Sequence, residues 1–382
     1  MIPYGRQDIT EDDVEAVVST LRSDFLTQGP VVPRFEKVVS DHVGATHAIA
    51  VNSATSALHI ACLALGLGPG DWLWTSPITF VASANCALYC GASVGFVDID
   101  PDTYNLSIED LERRLEAAER EGRLPKIVVP VHLCGQSCDM SAIADLAKRY
   151  QFRVIEDASH AIGGKYRNGL VGNCRYSDIT IFSFHPVKIV TTAEGGMALT
   201  NDEALAAKMA LLRSHGITRD PSQMDQDPEG AWYYQQIDLG FNYRMTEMQA
   251  ALGVSQMDRI ETYVARRHAI ARRYDALLQD MPVVRPMQTA DAYSAYHLYP
   301  VRVPRADRLR VFERLREAGI GVNVHYIPVH LQPYYRAMGF EPGDYPEAER
   351  YYAEAISLPL YPTMSEAQQD QVVAALRSAV GA

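Results

Sequence analysis

The sequence predicts an α/β protein: a mainly parallel seven-stranded sheet flanked by helices, then a small α+β domain. Three observations predict it. Over the first two-thirds, short apolar stretches alternate with amphipathic helical ones. Several of those stretches are apolar at consecutive positions, as strands covered on both faces are, and connections long enough to hold a helix join parallel neighbours. After Thr200 the alternation gives way to a polar loop, a long helical stretch and a second short set of elements.

Strands are expected at His47–Asn52, Trp72–Ser76, Val94–Asp98, Ile127–Val131, Arg153–Asp157, Ile179–Phe184 and Gly196–Thr200. Helices are expected at Ser56–Leu65, Phe80–Tyr89, Ser107–Arg120 and Ser141–Tyr150. Ser107 with Asp110, and Asp139, supply capping signals. Asp202–Arg213 reads as helical. Ile217–Gly230, with Asp220-Pro221 and Asp227-Pro228, reads as a long loop of the kind that carries function. One helix is expected from Thr246 to about Gln279, bridging to the small domain. There the strands are His297–Val303 and Gly321–His325 and the helices lie near Ala306–Ala318 and Ser365–Val380. The expected domains are residues 1–245 and 246–382.

The 382 residues carry 35 Lys plus Arg against 47 Asp plus Glu, a net charge of −12, which argues against a general nucleic-acid binder. Hydrophobic residues make up 47%, enough for a large core. No apolar run is long enough to span a membrane, and the first residues lack a signal peptide's basic start, so a cytoplasmic protein is expected. The six cysteines do not form a disulfide framework. Although Cys86 and Cys90, and Cys134 and Cys138, are four apart, neither pair has a metal-binding partner pair nearby; reduced thiols and no metal are expected.

Ligands of α/β sheets bind at the carboxyl ends of the strands. After the first strand comes Asn52-Ser53-Ala54-Thr55-Ser56-Ala57-Leu58, hydroxyl residues opening a helix: taken alone, more often a set of helix caps than a phosphate site. The fifth strand ends in Glu156-Asp157-Ala158-Ser159-His160, and a carboxylate beside apolar residues must be paired or protonated. After the sixth comes His185-Pro186-Val187-Lys188. Lys188 is either a solvated loop lysine or a buried amine of lowered pKa, fit for Schiff-base chemistry. The combination narrows the choice. A hydroxyl-lined helix start, a strand-end Asp and a Lys 31 positions further on are what pyridoxal phosphate requires.

At these residues the sequence resembles the fold-type I, DegT-like sugar-nucleotide aminotransferases. The resemblance rests on the segments 52–58, 156–161, 182–188 and 193–196, together with Gly240-Phe241-Asn242-Tyr243-Arg244-Met245, and runs from Leu26-Thr27-Gln28-Gly29-Pro30 to Ser357-Leu358-Pro359-Leu360. It implies a fold-type I transferase with Lys188 as the Schiff-base lysine and proton carrier, and Asp157 paired with the ring nitrogen. His160 would lie near the ring hydroxyl and Phe80 would stack on the ring, although a core aromatic explains Phe80 too. Thr55, Ser56 and Ser183 would hold the phosphate, with Asn242 arriving from a partner subunit of a homodimer. Some relatives carry that asparagine two residues later, where this chain has Arg244. Thr27, His185, Arg244, His325 and Tyr326 would face the nucleotide sugar, although an ordinary strand end explains His325 and Tyr326 as well.

The implied reaction moves the amino group of glutamate to the C4 ketone of a UDP-linked 4-keto-6-deoxy-N-acetylhexosamine, as in pseudaminic acid synthesis. A dTDP-4-keto-6-deoxyhexose or a UDP-4-ketopentose is the alternative acceptor. Related dehydratases replace the lysine by histidine, which Lys188 argues against, and a regulator without turnover has no reason to keep Lys188 and Asp157 together. Gly66-Leu67-Gly68-Pro69-Gly70 follows a helix instead of a strand and so fails as a dinucleotide loop.

Overall fold

A computed structural model describes residues 1–381. Its central sheet has seven strands: β1 (His47–Val51), β2 (Trp72–Thr75), β3 (Ser93–Phe96), β4 (Ile127–Val129), β5 (Arg153–Asp157), β6 (Ile179–Ser183) and β7 (Gly196–Thr200). Their spatial order is β1-β7-β6-β5-β4-β2-β3. Strands β2 to β6 pair in parallel, while β7 runs antiparallel to both β1 and β6. One reversed strand has a consequence for the site. Gly196, the first residue of β7, pairs with Val51 and Ser183, so it sits at the edge where β1, β5 and β6 end.

Strands β4, β6 and β7 are buried at every position, which explains their unbroken apolar runs. Helices cover both faces: α1 (Glu11–Leu21), α2 (Val31–Val43), α3 (Ala54–Ala64), α4 (Ala82–Tyr89), α5 (Ile108–Glu121), α6 (Met140–Tyr150) and α7 (Glu203–Arg213). The expected caps form: the Ser107 side chain accepts from the Asp110 amide and Asp139 from Ala142, and Asp202, which the sequence reading did not single out, accepts from Ala204 and Leu205.

The stretch expected as one helix from Thr246 to Gln279 is two, α8 (Glu247–Met257) and α9 (Ile260–Leu277). The apolar pattern runs through the break, so periodicity could not reveal it. The chain turns at Asp258–Arg259, where the Arg259 guanidinium bonds the buried Asp13 carboxylate at 2.6 Å and the Tyr263 hydroxyl at 2.9 Å. Gly321–His325 is not a strand. Its backbone groups are divided, Gly321 N–H going to the Ile2 carbonyl at 2.6 Å and Asn323 bridging to Ser357. The small two-stranded sheet instead pairs Tyr299–Arg302 with Ala355–Leu358. Its core gathers Ile270, Tyr274, Val301, Leu315, Ile356 and Leu376, and the amino-terminal Ile2 joins it.

Residues 217–245 form a short hairpin, Ile217–Thr218 against Gln235–Gln236, and otherwise irregular chain, with Trp232 72% and Leu239 75% exposed. All six cysteines are free thiols. Among the described residues no helix is long and apolar enough to cross a membrane.

Candidate active site

A cleft of about 530 Å³ opens at the edge where β1, β5 and β6 end. A larger cavity of about 670 Å³ runs along the edge strand β3, but Arg113 and Arg114 in its wall are both paired with Asp110 and no sheet-end carboxylate or lysine reaches it. The chemistry therefore belongs to the smaller cleft.

Strand β5 delivers two acids to opposite faces, as consecutive strand residues must. Glu156 is consumed by structure: it bonds His132 Nε2 at 2.8 Å, Ser177 Oγ at 2.5 Å and Thr180 Oγ1 at 3.3 Å. Asp157 faces the cleft. Its Oδ2 accepts from Ser83 Oγ at 2.5 Å and its Oδ1 from the Ser159 amide at 3.1 Å, leaving lone pairs on both oxygens.

Lys188 follows β6 in a loop tied back on itself. The Phe184 carbonyl accepts from the Thr192 amide at 2.9 Å and from Thr191 Oγ1 at 3.2 Å, and the His185 carbonyl accepts from the Lys188 amide at 2.9 Å. The residue as a whole is half-buried. Loss of water pushes its pKa down to about 8, with Asp157 and Cys134 pulling the other way. Two histidines of the cleft, His160 and His325, are shifted in the same direction. Burial first, then Lys188 and His325, hold His160 well below the usual range, and burial and Lys188 bring His325 to about 4.

The direction of one hydrogen-bond chain is fixed. The Cys134 amide can only donate, so at 3.3 Å it makes His160 Nδ1 the acceptor and assigns the ring proton to Nε2. That proton points at the Tyr326 hydroxyl, 3.1 Å away. Burial, followed by Cys134 and Asp157, raises the Tyr326 pKa, so its own O–H stays on and is free to donate into the cleft.

The opposite wall is the start of α3. Ser53 is the cap, accepting from the Ser56 amide at 3.1 Å, and Ser56 turns inward to Asn52 Oδ1 at 2.6 Å. Thr55 takes no part in the cap and lines the cleft. A Cβ on Gly196 would lie 2.4 Å from both the Ala54 nitrogen and the Ser53 carbonyl carbon; glycine lets β7 press against the helix start.

These residues fit pyridoxal phosphate. Helix amides and Thr55 offer an anion site, Asp157 keeps unused lone pairs, the Lys188 amine is easily deprotonated, and the Phe80 ring is left 60% exposed over the cleft.

Of the residues read from the sequence, Thr55, Phe80, Asp157, His160, Ser183, His185, Lys188, His325 and Tyr326 line this one cleft. Ser56 does not line the cleft, but its hydroxyl lies 3.0 Å from that of Ser53, which does. Thr27, Asn242 and Arg244 are not in the cleft wall. Thr27 and Asn242 are exposed, and residues 242–244 run beside the end of β1, the Tyr243 carbonyl accepting from the Asn52 amide at 2.8 Å. Asn242 is expected at a partner's cofactor, so its place outside its own cleft agrees with that reading, and Thr27 and Arg244 likewise lie away from the cleft of their own chain. The sequence reading missed Tyr4, Ser83 and His297. Tyr4 packs on His325 with ring centres 5.3 Å apart, and His297 lies 4.4 Å from the His160 ring. The only signal for Ser83 was its spacing of four from Thr79 at a helix start.

Residues 7–377 match the DegT/DnrJ/EryC1/StrS aminotransferase family. The chain belongs to that family. It is a sugar aminotransferase, and its cofactor is pyridoxal phosphate. It is 40% identical to the spore coat polysaccharide biosynthesis protein SpsC of Bacillus subtilis, over 99% of this chain and 97% of that one. It is 37% identical to the UDP-4-amino-4,6-dideoxy-N-acetyl-β-L-altrosamine transaminase of Campylobacter jejuni (96% and 94% covered). Identity is also 37% to the GDP-perosamine synthase of Caulobacter vibrioides (91% and 90%). Among solved structures, a putative sugar aminotransferase of Streptococcus pneumoniae in its PMP form superposes with TM-score 0.92 at 30% identity (100% and 99% covered). Helicobacter pylori PseC, an aminotransferase of pseudaminic acid biosynthesis, gives 0.92 at 29% (100% and 99%).

Proposed function

We propose that this aminotransferase moves the amino group of glutamate to the C4 ketone of a UDP-linked 4-keto-6-deoxy-N-acetylhexosamine, giving a UDP-4-amino-4,6-dideoxy sugar of the pseudaminic acid route. The observation that carries the chemistry is that Lys188 and Asp157, from neighbouring strand ends, face one cleft. The C. jejuni transaminase supports the choice of sugar.

Bound pyridoxal phosphate supplies an electron sink for the carbanion formed when an amino acid loses its α-proton. The chain's own residues do the rest. Lys188 moves the proton, and its lowered pKa lets the neutral amine act as base near neutral pH. Asp157 holds the ring nitrogen protonated through its free lone pairs. The α3 start and Thr55 hold the phosphate, and Tyr326 donates a hydrogen bond to an oxygen in the cleft.

We further propose that the working unit is a homodimer in which Asn242 and Arg244 of each chain serve the partner's cleft. Their position outside their own cleft supports this, as do the exposed Phe25, Leu26, Trp232 and Leu239, an apolar surface that a second copy would cover.

The test is turnover of a panel of 4-keto nucleotide sugars, UDP-, GDP- and dTDP-linked, with glutamate as donor. The UDP-linked N-acetylhexosamine should give the highest kcat/KM. A preference for the GDP-linked ketosugar, in line with the GDP-perosamine synthase, would overturn the sugar assignment and leave the aminotransferase chemistry intact.

A further inference from the structure

We propose that Ser83, in the first turn of α4, is a positioning residue for Asp157, and that Thr79 fixes the direction in which the Ser83 hydroxyl points. The proposal rests on the aminotransferase reading above and concerns the cofactor half of that site alone.

Ser83 is fully buried, and so is Thr79 within 2%. A buried helical serine ordinarily returns its proton to the carbonyl one turn back. Ser83 gives it instead to Asp157 Oδ2, 74 positions away in sequence, at 2.5 Å. Thr79 Oγ1 lies 2.7 Å from Ser83 Oγ. An ionised carboxylate can only accept, so the single Ser83 proton is committed to Asp157 and Thr79 must be the donor in the second bond. The chain therefore has one polarity: Thr79 O–H to Ser83, Ser83 O–H to Asp157.

The Ser159 amide occupies the other carboxylate oxygen at 3.1 Å. Gripped at both oxygens, Asp157 keeps one rotamer, with its remaining lone pairs toward the cleft. Glu156, one residue earlier, shows the contrast: three side chains satisfy it and it has no cleft to face. Hydrogen bonds to charged groups are the strong ones, so losing Ser83 frees the Asp157 side chain at the point where it must meet the ring nitrogen.

The experiment uses Ser83→Ala, Ser83→Thr and Thr79→Val in the full chain. It measures pyridoxal phosphate affinity of the apo protein by fluorescence and single-turnover rates of the glutamate half-reaction. Ser83→Ala should weaken cofactor binding roughly fivefold and slow the half-reaction roughly tenfold, the scale of one hydrogen bond to a charged group. The glutamate concentration giving half-maximal rate should stay within about twofold, since Ser83 acts on the cofactor half and not on donor binding. Ser83→Thr, which keeps the hydroxyl, should recover most of the rate. In an Asp157→Asn background, Ser83→Ala should change the rate less than about twofold, because the partner it positions is already disabled.

An equal loss in both backgrounds, or unchanged affinity and rate in Ser83→Ala, overturns the proposal. Should Ser83→Ala not fold, Thr79→Val decides: a loss of about two- to threefold in the same direction supports the chain and wild-type values contradict it. No sugar enters these assays, so a wrong sugar assignment does not touch them. A wild-type chain that takes up no pyridoxal phosphate would overturn the aminotransferase reading itself.

Discussion

The two halves of the candidate site are built differently. The half that carries Lys188 and Asp157 is built on the sheet: β5, β6 and the start of α3 meet at one sheet edge, and Asp157, Lys188 and Thr55 are fixed by backbone and buried hydroxyls. The segment from Ile217 to Arg244 is the reverse. It is largely irregular, Trp232, Tyr234, Ile237 and Leu239 face outward, and Asn242 is exposed. The difference teaches where the specificity of a nucleotide-sugar enzyme can reside. Residues fixed by the sheet suit chemistry that every substrate shares, whereas surface loops can vary from one enzyme to another without disturbing it.

The sharpest way to break this division is at its centre. Lys188→Ala should fold as the wild type, by circular dichroism, and lose all detectable turnover, because no other amine in the cleft can carry the proton. Turnover near the wild-type rate would remove the cofactor half from the account. Asp157→Asn should keep cofactor bound yet slow the glutamate half-reaction about 100-fold or more, the scale of a charge-assisted bond acting in the transition state. An unchanged rate would mean that another group meets the ring nitrogen.

Gly196→Ala probes the wall instead of the reacting groups. Its Cβ would meet two backbone atoms at 2.4 Å, and backbone cannot move aside as a side chain can. Pyridoxal phosphate should bind roughly tenfold more weakly and Tm should fall by several degrees, as overpacking of about 1–3 kcal/mol gives. Wild-type affinity would show that α3 can shift without loss.

The smallest effect is one of pH. The pKa of Lys188 is lowered from 10.5 to about 8, so the reactive neutral amine appears as pH rises through about 8. The rate at which apo protein captures pyridoxal phosphate should climb over that range and level off above it. A climb centred near 10 would mean the amine is solvated.

Much of the fold could be read in advance because burial on both faces leaves a direct mark. The seven sheet strands lie within two residues of the expected stretches, and Ser107 and Asp139 cap the helices that follow. What escaped was set by partners distant in sequence. The break at Asp258–Arg259 is stabilised by Asp13, and Gly321–His325 fails as a strand because its backbone is divided between Ile2 and Ser357. The same holds in the site. Lys188 and Asp157 sit at strand ends, a position with meaning in sequence, whereas Ser83 reads as a small residue filling a helix until Asp157 is found 2.5 Å away. Tyr4 and His297 reach the cleft from positions far from Asp157 and Lys188 in sequence, which no local pattern announces.

The division between a cleft built on the sheet and a loop lent to the partner is tested most directly by mixing two inactive variants, Lys188→Ala and the Asn242→Ala/Arg244→Ala double change. In a mixed dimer one cleft carries both defects and the other carries neither. Random re-pairing makes about half the dimers mixed, so activity should return to roughly a quarter of the wild-type level per site. No activity above that of the separate variants, with mixed dimers confirmed by native mass spectrometry, would show that residues 242–244 serve their own chain.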